Sequence, residues 1–387
     1  MRRFAMKKQK VNVKLDTDFG GIVLRNTNNA SKLLHPLWIR ERTEGPADFD
    51  TINYQRLYDH STLPADLKIT QCEVTDCDRL DVEFNDGYQS NISLTKIQHE
   101  IGWRENPEDL PVPKPWKTGF KFSDHVKWSN LNDPLNLKAM LDDFLTYGFC
   151  IMRDTPTERD CLLQLASRFG YVRDTNWGKI FNVETKPDAT DAAYKDVALA
   201  AHTDNPYRDP IPGIQFLHCL TNDVSGGLST LVDGIAVADR LHDEEPEQAR
   251  ILEDVIVRYR YQGPSAILEN FGPTIERDHI GIVRRIRLSS RVDFVPALDP
   301  KTLNLFYAGR RRLNELSNSP EFQISFPFRP GTLLMMDNYR LLHGRTAFDG
   351  KQGHRLLQGC YTDHDGVCSL YKLLANGRDL TSVARED

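Results

Sequence analysis

Residues 198–234 read ALAAHTDNPYRDPIPGIQFLHCLTNDVSGGLSTLVDG, and the fold follows from this stretch. Three short runs, ALAAHTD, GIQFLHCL and LSTLVDG, are apolar or β-branched and are parted by Pro, Gly and Asn, which is how strands and turns alternate in a β-rich core. The pattern continues downstream in VRYRYQ, IGIVRRIRLSS, ISFPF, GTLLMMD, RLLHGRT and RLLQGCYTD, with helices expected over residues 236–256 and 301–317. Upstream, Leu137, Leu141, Phe144 and Leu145 share one helical face ahead of the apolar strand FCIMRD, and a second helix is expected over residues 157–168. Many short strands with helices grouped before them predict a mostly β fold with flanking helices, built on a barrel or jelly-roll core.

The first hundred residues have a different grain. VNVKL, GGIVL, LKITQCEV and RLDVEF read as strands, and Asp86-Gly87 is a hairpin turn signal. The proline-rich ENPEDLPVPKPW then stiffens the chain as a linker would. The expected division is a small β-rich domain over residues 1–109 and a larger domain over residues 110–387.

Composition narrows the function. A net charge of -6 argues against a nucleic-acid footprint, which needs clustered Lys and Arg. The basic start MRRFAMKKQK is followed by VNVKLDTDFG where a signal peptide needs an apolar core, and no run approaches the roughly 18 apolar residues of a membrane span. Cys72, Cys77, Cys150, Cys161, Cys219, Cys360 and Cys368 are an odd, scattered set that suits reduced thiols. A cytoplasmic protein with no membrane partner is expected.

His202 and Asp204 lie two apart at a strand end, so an imidazole and a carboxylate can face one metal ion. Alone the pair is a weak signal. His343 in RLLHGRT adds a second imidazole from another strand, and two His with one Asp make the facial triad that holds non-haem Fe(II) with open positions. Arg355, heading RLLQGCYTD, offers a planar fork for the far carboxylate of a dicarboxylate cosubstrate such as 2-oxoglutarate.

HTDNPY, PGIQFLHC, GGLSTLVDG, DNYRLLHGR and HRLLQGCY, in this order over roughly residues 120–375, resemble the γ-butyrobetaine hydroxylase family of Fe(II)/2-oxoglutarate dioxygenases. The resemblance implies a double-stranded β-helix, Fe(II) on His202, Asp204 and His343, 2-oxoglutarate on Arg355 with help from Ser229, O2 as oxidant and ascorbate as a reductant. It implies a small quaternary ammonium substrate and a homodimer.

The resemblance also implies an aromatic cage for a trimethylammonium group, which ring faces hold by cation–π attraction. Trp177, Phe181, Tyr194 and Tyr361 fall at cage positions, the first two with altered rings. Where relatives hold a carboxylate with two asparagines, this chain has Asp191 and Ser289. RIRLSSR adds Arg287 and Arg291, and a regular strand there would align Arg287, Ser289 and Arg291 on one face. That set predicts a more highly charged anion, 2-(trimethylammonio)ethylphosphonate, with γ-butyrobetaine as the alternative and a non-enzymatic betaine- or metal-binding barrel as the more distant one. The relatives' zinc loop follows a WLRDNC-like segment; HPLWIRERTEGPAD has no cysteine, so no zinc is expected. The small domain is then expected to serve dimerisation or closure over the active site.

Overall fold

The computed structural model describes residues 11–50, 52–76, 78–122, 126–184, 197–349 and 353–377. The chain divides into two compact units, Met1–Asn106 and Pro107–Asp387, at the head of the proline-rich segment.

In the first unit, β1 (Asn12–Asp16), β2 (Gly21–Arg25) and β3 (Ser31–Leu34) form one antiparallel sheet, while β4 (Ile69–Asp76), β5 (Arg79–Phe84) and β6 (Gln89–Ser93) form another. The strands alternate as the sequence does: β5 buries Leu80, Val82 and Phe84 and turns Arg79, Asp81 and Glu83 outward. Gly87, at a φ of 82°, makes the turn between β5 and β6 that Asp86-Gly87 predicts. Helix α1 (Pro36–Arg40) follows β3, and α2 (Leu94–Glu100) follows β6. The loop after α1 is closed by a buried pair, with Arg40 Nη1 3.2 Å from Asp48 Oδ1. Asp48 Oδ2 accepts the Gly45 N–H at 3.0 Å and the Tyr88 hydroxyl as well. Cys72 is half-buried on β4, and Cys77 lies outside the described residues.

The second unit opens with β7 (Val126–Lys127), α3 (Pro134–Tyr147), β8 (Phe149–Arg153), α4 (Leu162–Ala166) and β9 (Phe181–Glu184). It continues through β10 (Leu199–His202), β11 (Ile214–Asn222), β12 (Ser229–Asp233), α5 (Gly234–Glu244), α6 (Pro246–Asp254), β13 (Val257–Gln262), β14 (Ile267–Gly272), β15 (Ile275–Arg277), β16 (Val283–Ile286) and β17 (Asp293–Phe294). It ends with α7 (Pro300–Ser317), β18 (Gln323–Phe326), β19 (Leu333–Asp337), β20 (Leu341–Arg345), β21 (Arg355–Thr362) and α8 (His364–Ala375). A sheet ordered β10-β20-β12-β18 faces a larger one ordered β7-β8-β19-β11-β21-β9, which is the double-stranded β-helix.

Residue alternation decides what each face of the larger sheet does. Phe216, Leu333, Met335 and Cys360 point out and pack with Leu141 and Phe144 of α3 and Val367 of α8. Their neighbours Gln215, Leu217, Leu357 and Tyr361 point in and line a cavity between the sheets. Burying the outer faces of these side chains contributes about 1.5–3 kcal/mol each, so the helices clamp the sheet that carries the cavity.

Local chemistry accounts for the departures from the expected elements. The helix expected over 236–256 is two helices, because Glu245 leaves the helical region at a φ of -141° and Pro246, which has no N–H to donate, starts the next. The helix expected over 157–168 shrinks to α4 with a 3-10 turn, Ser167–Phe169, because Asp160 takes a left-handed φ of 66° just before it. The long strand expected in IGIVRRIRLSS ends at Ile286. No helix among the described residues is long and apolar enough to cross a membrane.

Candidate active site

β10 ends on His202, which pairs directly across the antiparallel ladder with His343 of β20, so the two imidazoles meet with centroids 4.3 Å apart. Gly344 permits this approach: a Cβ there would come within 2.5 Å of the Leu199 carbonyl. Asp204 follows on a segment held from both sides. The Asn338 side chain accepts the Asp204 N–H at 2.8 Å and donates to the Asp204 carbonyl at 3.0 Å. Thr203 N–H donates to the Leu288 carbonyl at 2.9 Å, and Leu288 N–H donates to Thr203 Oγ1 at 3.1 Å.

The donor atoms of His202, Asp204 and His343 all lie within 4.8 Å of one another. Among the described residues they are the cluster suited to a metal ion. His202 Nδ1 lies 3.0 Å from the Ala200 carbonyl, which can only accept, so Nδ1 donates there and Nε2 is the nitrogen that faces Asp204. Asp204 Oδ1 is 3.4 Å from His202 Nε2 and 3.8 Å from His343 Nε2. Burial alone would raise the Asp204 carboxyl, but the His343 and His202 imidazoles and the Tyr361 hydroxyl outweigh it and hold it well below the usual range. Burial, and then His202, pushes His343 down to about 3, which leaves the ring neutral. Two imidazoles and a carboxylate on one side of an open cavity fit Fe(II) in a facial triad.

Arg355 enters the cavity from the head of β21. It is 4% exposed, yet its Nε has no hydrogen-bond partner. Burial, and then the neighbouring Arg345, pulls its guanidinium down to about 10. Both guanidinium groups lie over the Phe348 ring, at 5.5 Å and 4.7 Å from its centre. Ser229 of β12 sits opposite Arg345 in the ladder and lines the same cavity. A buried guanidinium lacking an acid suits the far carboxylate of a dicarboxylate.

The cavity measures about 810 Å³. Its walls bring Trp177, Phe181 and Tyr361 together with the triad, Arg355, Ser289 and Arg291. Phe181 stacks on Tyr361 with centroids 5.1 Å apart, over Gly359, where a Cβ would strike the Phe181 ring at 2.3 Å. Asp191 and Tyr194 lie outside the described residues. Arg287 does not line the cavity. Its guanidinium pairs with Glu276 at 2.8 Å and donates to the Pro273 carbonyl at 3.0 Å. The expected strand through residues 287–291 is replaced by the exchange between Leu288 and Thr203 and a turn closed by Val292 N–H donating to the Ser289 carbonyl at 3.0 Å. Arg287 and Arg291 therefore do not share a face.

Four side chains beyond the sequence-derived set shape the site. Tyr207 and Tyr261 line the cavity and stack on each other at 5.2 Å, with Trp177 edge-on to Tyr261 at 5.6 Å. Gln215 donates to Asp204, and Asn338 fixes the backbone there. Tyr207 in HTDNPY and Tyr261 in VRYRYQ carried the signal of an aromatic near a ligand or on an inward strand position. Asn338 in DNYR carried none, since its role depends on a contact 134 residues away in sequence.

The family model described as "Taurine catabolism dioxygenase TauD, TfdA family" matches residues 111–361. Gamma-butyrobetaine dioxygenase of Pseudomonas sp. (strain AK-1) is 31% identical over 339 residues, covering 87% of this chain and 88% of that protein. Mitochondrial trimethyllysine dioxygenase of Gallus gallus is 31% identical over 351 residues, covering 87% of this chain and 82% of that protein. Among solved structures, AAD-2 in complex with Mn(II) and N-oxalylglycine aligns with a TM-score of 0.48 at 18% identity, covering 64% of this chain and 97% of that one. With a family model spanning most of its larger unit and relatives aligned along most of its length, the chain belongs to the TauD/TfdA dioxygenase family, as a γ-butyrobetaine hydroxylase-like, 2-oxoglutarate-dependent iron enzyme.

Proposed function

We propose that this protein hydroxylates a small trimethylammonium zwitterion, with 2-(trimethylammonio)ethylphosphonate preferred over γ-butyrobetaine. The observation that carries the reading is one cavity lined by five aromatic side chains, the His202–Asp204–His343 cluster, and Ser289 with Arg291. Fe(II), once bound with 2-oxoglutarate and O2, supplies the oxidising chemistry. His202, Asp204 and His343 hold the metal, and Arg355 grips the far carboxylate of the cosubstrate, with Ser229 beside it. Trp177, Phe181 and Tyr361, joined by Tyr207 and Tyr261, offer ring faces to a cation that cannot hydrogen-bond. Ser289 and Arg291 meet the anionic end, so the substrate carbon between the two ends is held near the metal.

With Arg287 committed to Glu276, the anion site rests on Arg291 and Ser289. A guanidinium fork gives a carboxylate or a phosphonate two charge-assisted hydrogen bonds alike, and the second negative charge of a phosphonate dianion adds attraction that a monocarboxylate lacks. γ-Butyrobetaine is the second reading, favoured by the name of the Pseudomonas relative. Succinate formation with each substrate, at saturating Fe(II), 2-oxoglutarate and ascorbate, separates them. The phosphonate is expected to exceed γ-butyrobetaine by at least about tenfold in kcat/KM, roughly 1.4 kcal/mol. Equal or better turnover of γ-butyrobetaine would overturn the phosphonate preference, and binding without succinate would overturn the hydroxylase reading.

A further inference from the structure

Gln215 of β11 and Tyr361 of β21 are direct partners in the antiparallel ladder, and both side chains reach the same carboxylate oxygen. Gln215 Nε2 donates to Asp204 Oδ2 at 2.6 Å, and the Tyr361 hydroxyl donates to Asp204 Oδ2 at 2.7 Å. Both residues are at least nine-tenths buried, and Tyr361 is wedged against Phe181. The other oxygen, Oδ1, is the one that faces His202 and His343.

We propose that Tyr361 and Gln215 are positioning residues that make Asp204 a one-oxygen ligand, so that a wall of the substrate cavity sets the geometry of the metal site. Two donors on Oδ2 hold its lone pairs away from the metal, and a carboxylate that binds through Oδ1 alone leaves one more coordination position for cosubstrate and oxidant. Because the Tyr361 ring is also a cavity wall, pressure of a bound substrate on that ring reaches Asp204 through a single hydrogen bond. The inference rests on reading His202, Asp204 and His343 as the metal site.

The test uses the full chain loaded with Co(II), whose visible d–d bands weaken as coordination number rises. Tyr361→Phe keeps the ring and removes the donor, and Gln215→Leu removes the other. Each is expected to change the position and intensity of the Co(II) bands relative to the parent protein, and the double variant to change them further. In steady-state assays Tyr361→Phe is expected to lower kcat about tenfold or more, with KM for the substrate within about twofold. A merely structural role would leave the spectrum unchanged. His343→Ala serves as the control: native Co(II) binding by that variant would overturn the reading of the metal site itself. Native bands and native kcat in Tyr361→Phe, with the control failing to bind, would overturn the positioning role alone.

Discussion

Two buried arginines in the second unit are alike in exposure and opposite in their surroundings. Arg340 is 5% exposed and has partners on all three nitrogens: its Nε and Nη2 donate to Asp233 at 3.0 Å and 2.7 Å, and its Nη1 and Nη2 to the carbonyls of Thr146 and Lys114 at 2.8 Å and 2.7 Å. Asp233 in turn accepts the Trp116 and Ile235 N–H groups. Arg355 is 4% exposed, has an unpartnered Nε, and lies beside Arg345. Burying a charge costs several kcal/mol unless a partner compensates it; the first arrangement is a structural cross-link, and the second is the one we propose as the cosubstrate site. The first closes the end of the barrel where β12, β19 and β20 meet the linker segment. The second faces the cavity that holds the triad.

The sharpest break in the comparison comes from the triad. His202→Ala, Asp204→Ala and His343→Ala are each expected to abolish succinate formation while leaving the urea midpoint close to native, since these groups serve a metal rather than the core. Arg340→Met should do the reverse, lowering stability by about 3–5 kcal/mol because it leaves Asp233 buried without its counter-charge. Its urea midpoint reads this directly, and a native midpoint would dissolve the distinction between the two arginines.

A smaller effect sharpens the comparison within one loop. Arg291→Ala is expected to narrow the preference for phosphonate over γ-butyrobetaine by about tenfold, roughly 1.4 kcal/mol. Arg287→Ala should leave that ratio unchanged and lower the melting temperature, because its partner Glu276 lies outside the cavity. An altered ratio in Arg287→Ala would return this arginine to the anion site.

The sequence carries the strand-borne part of the site because strands report their inward face at every second residue. His343 of β20, with Arg355 and Tyr361 of β21, occupies such positions, and the His202–Asp204 pair follows from its spacing at a strand end. What depends on distant segments crossing is not legible there. Gln215 looks like a polar interruption of an apolar strand until its partner across the ladder proves to be Tyr361. Arg287 and Arg291 look like neighbours on a strand, and only the competing hydrogen bonds between Leu288 and Thr203 take that segment out of regular pairing. The helix break before Pro246 was legible in principle, since proline cannot donate the bond a continuous helix needs. In the first unit α1 forms over the LWIR segment, where only strands are expected around it, and the Arg40–Asp48 pair that closes the following loop depends on the fold bringing Tyr88 alongside.

The central claim is that Arg355, whose Nε has no hydrogen-bond partner, and the triad together form a cosubstrate site. Thermal unfolding of the parent protein and of Arg355→Leu, each with and without Mn(II) plus 2-oxoglutarate in the absence of O2, tests it most directly. Stabilisation by a ligand at a hundredfold its Kd is about 2.7 kcal/mol, so the parent protein should show a clear rise in melting temperature. Arg355→Leu should unfold no earlier than the parent without ligand, having shed an uncompensated buried charge. It should lose most of the 2-oxoglutarate-dependent rise, in line with a weakening of roughly 2–5 kcal/mol for a lost charge-assisted pair. A full rise in Arg355→Leu, or a variant as destabilised as Arg340→Met, would contradict the account.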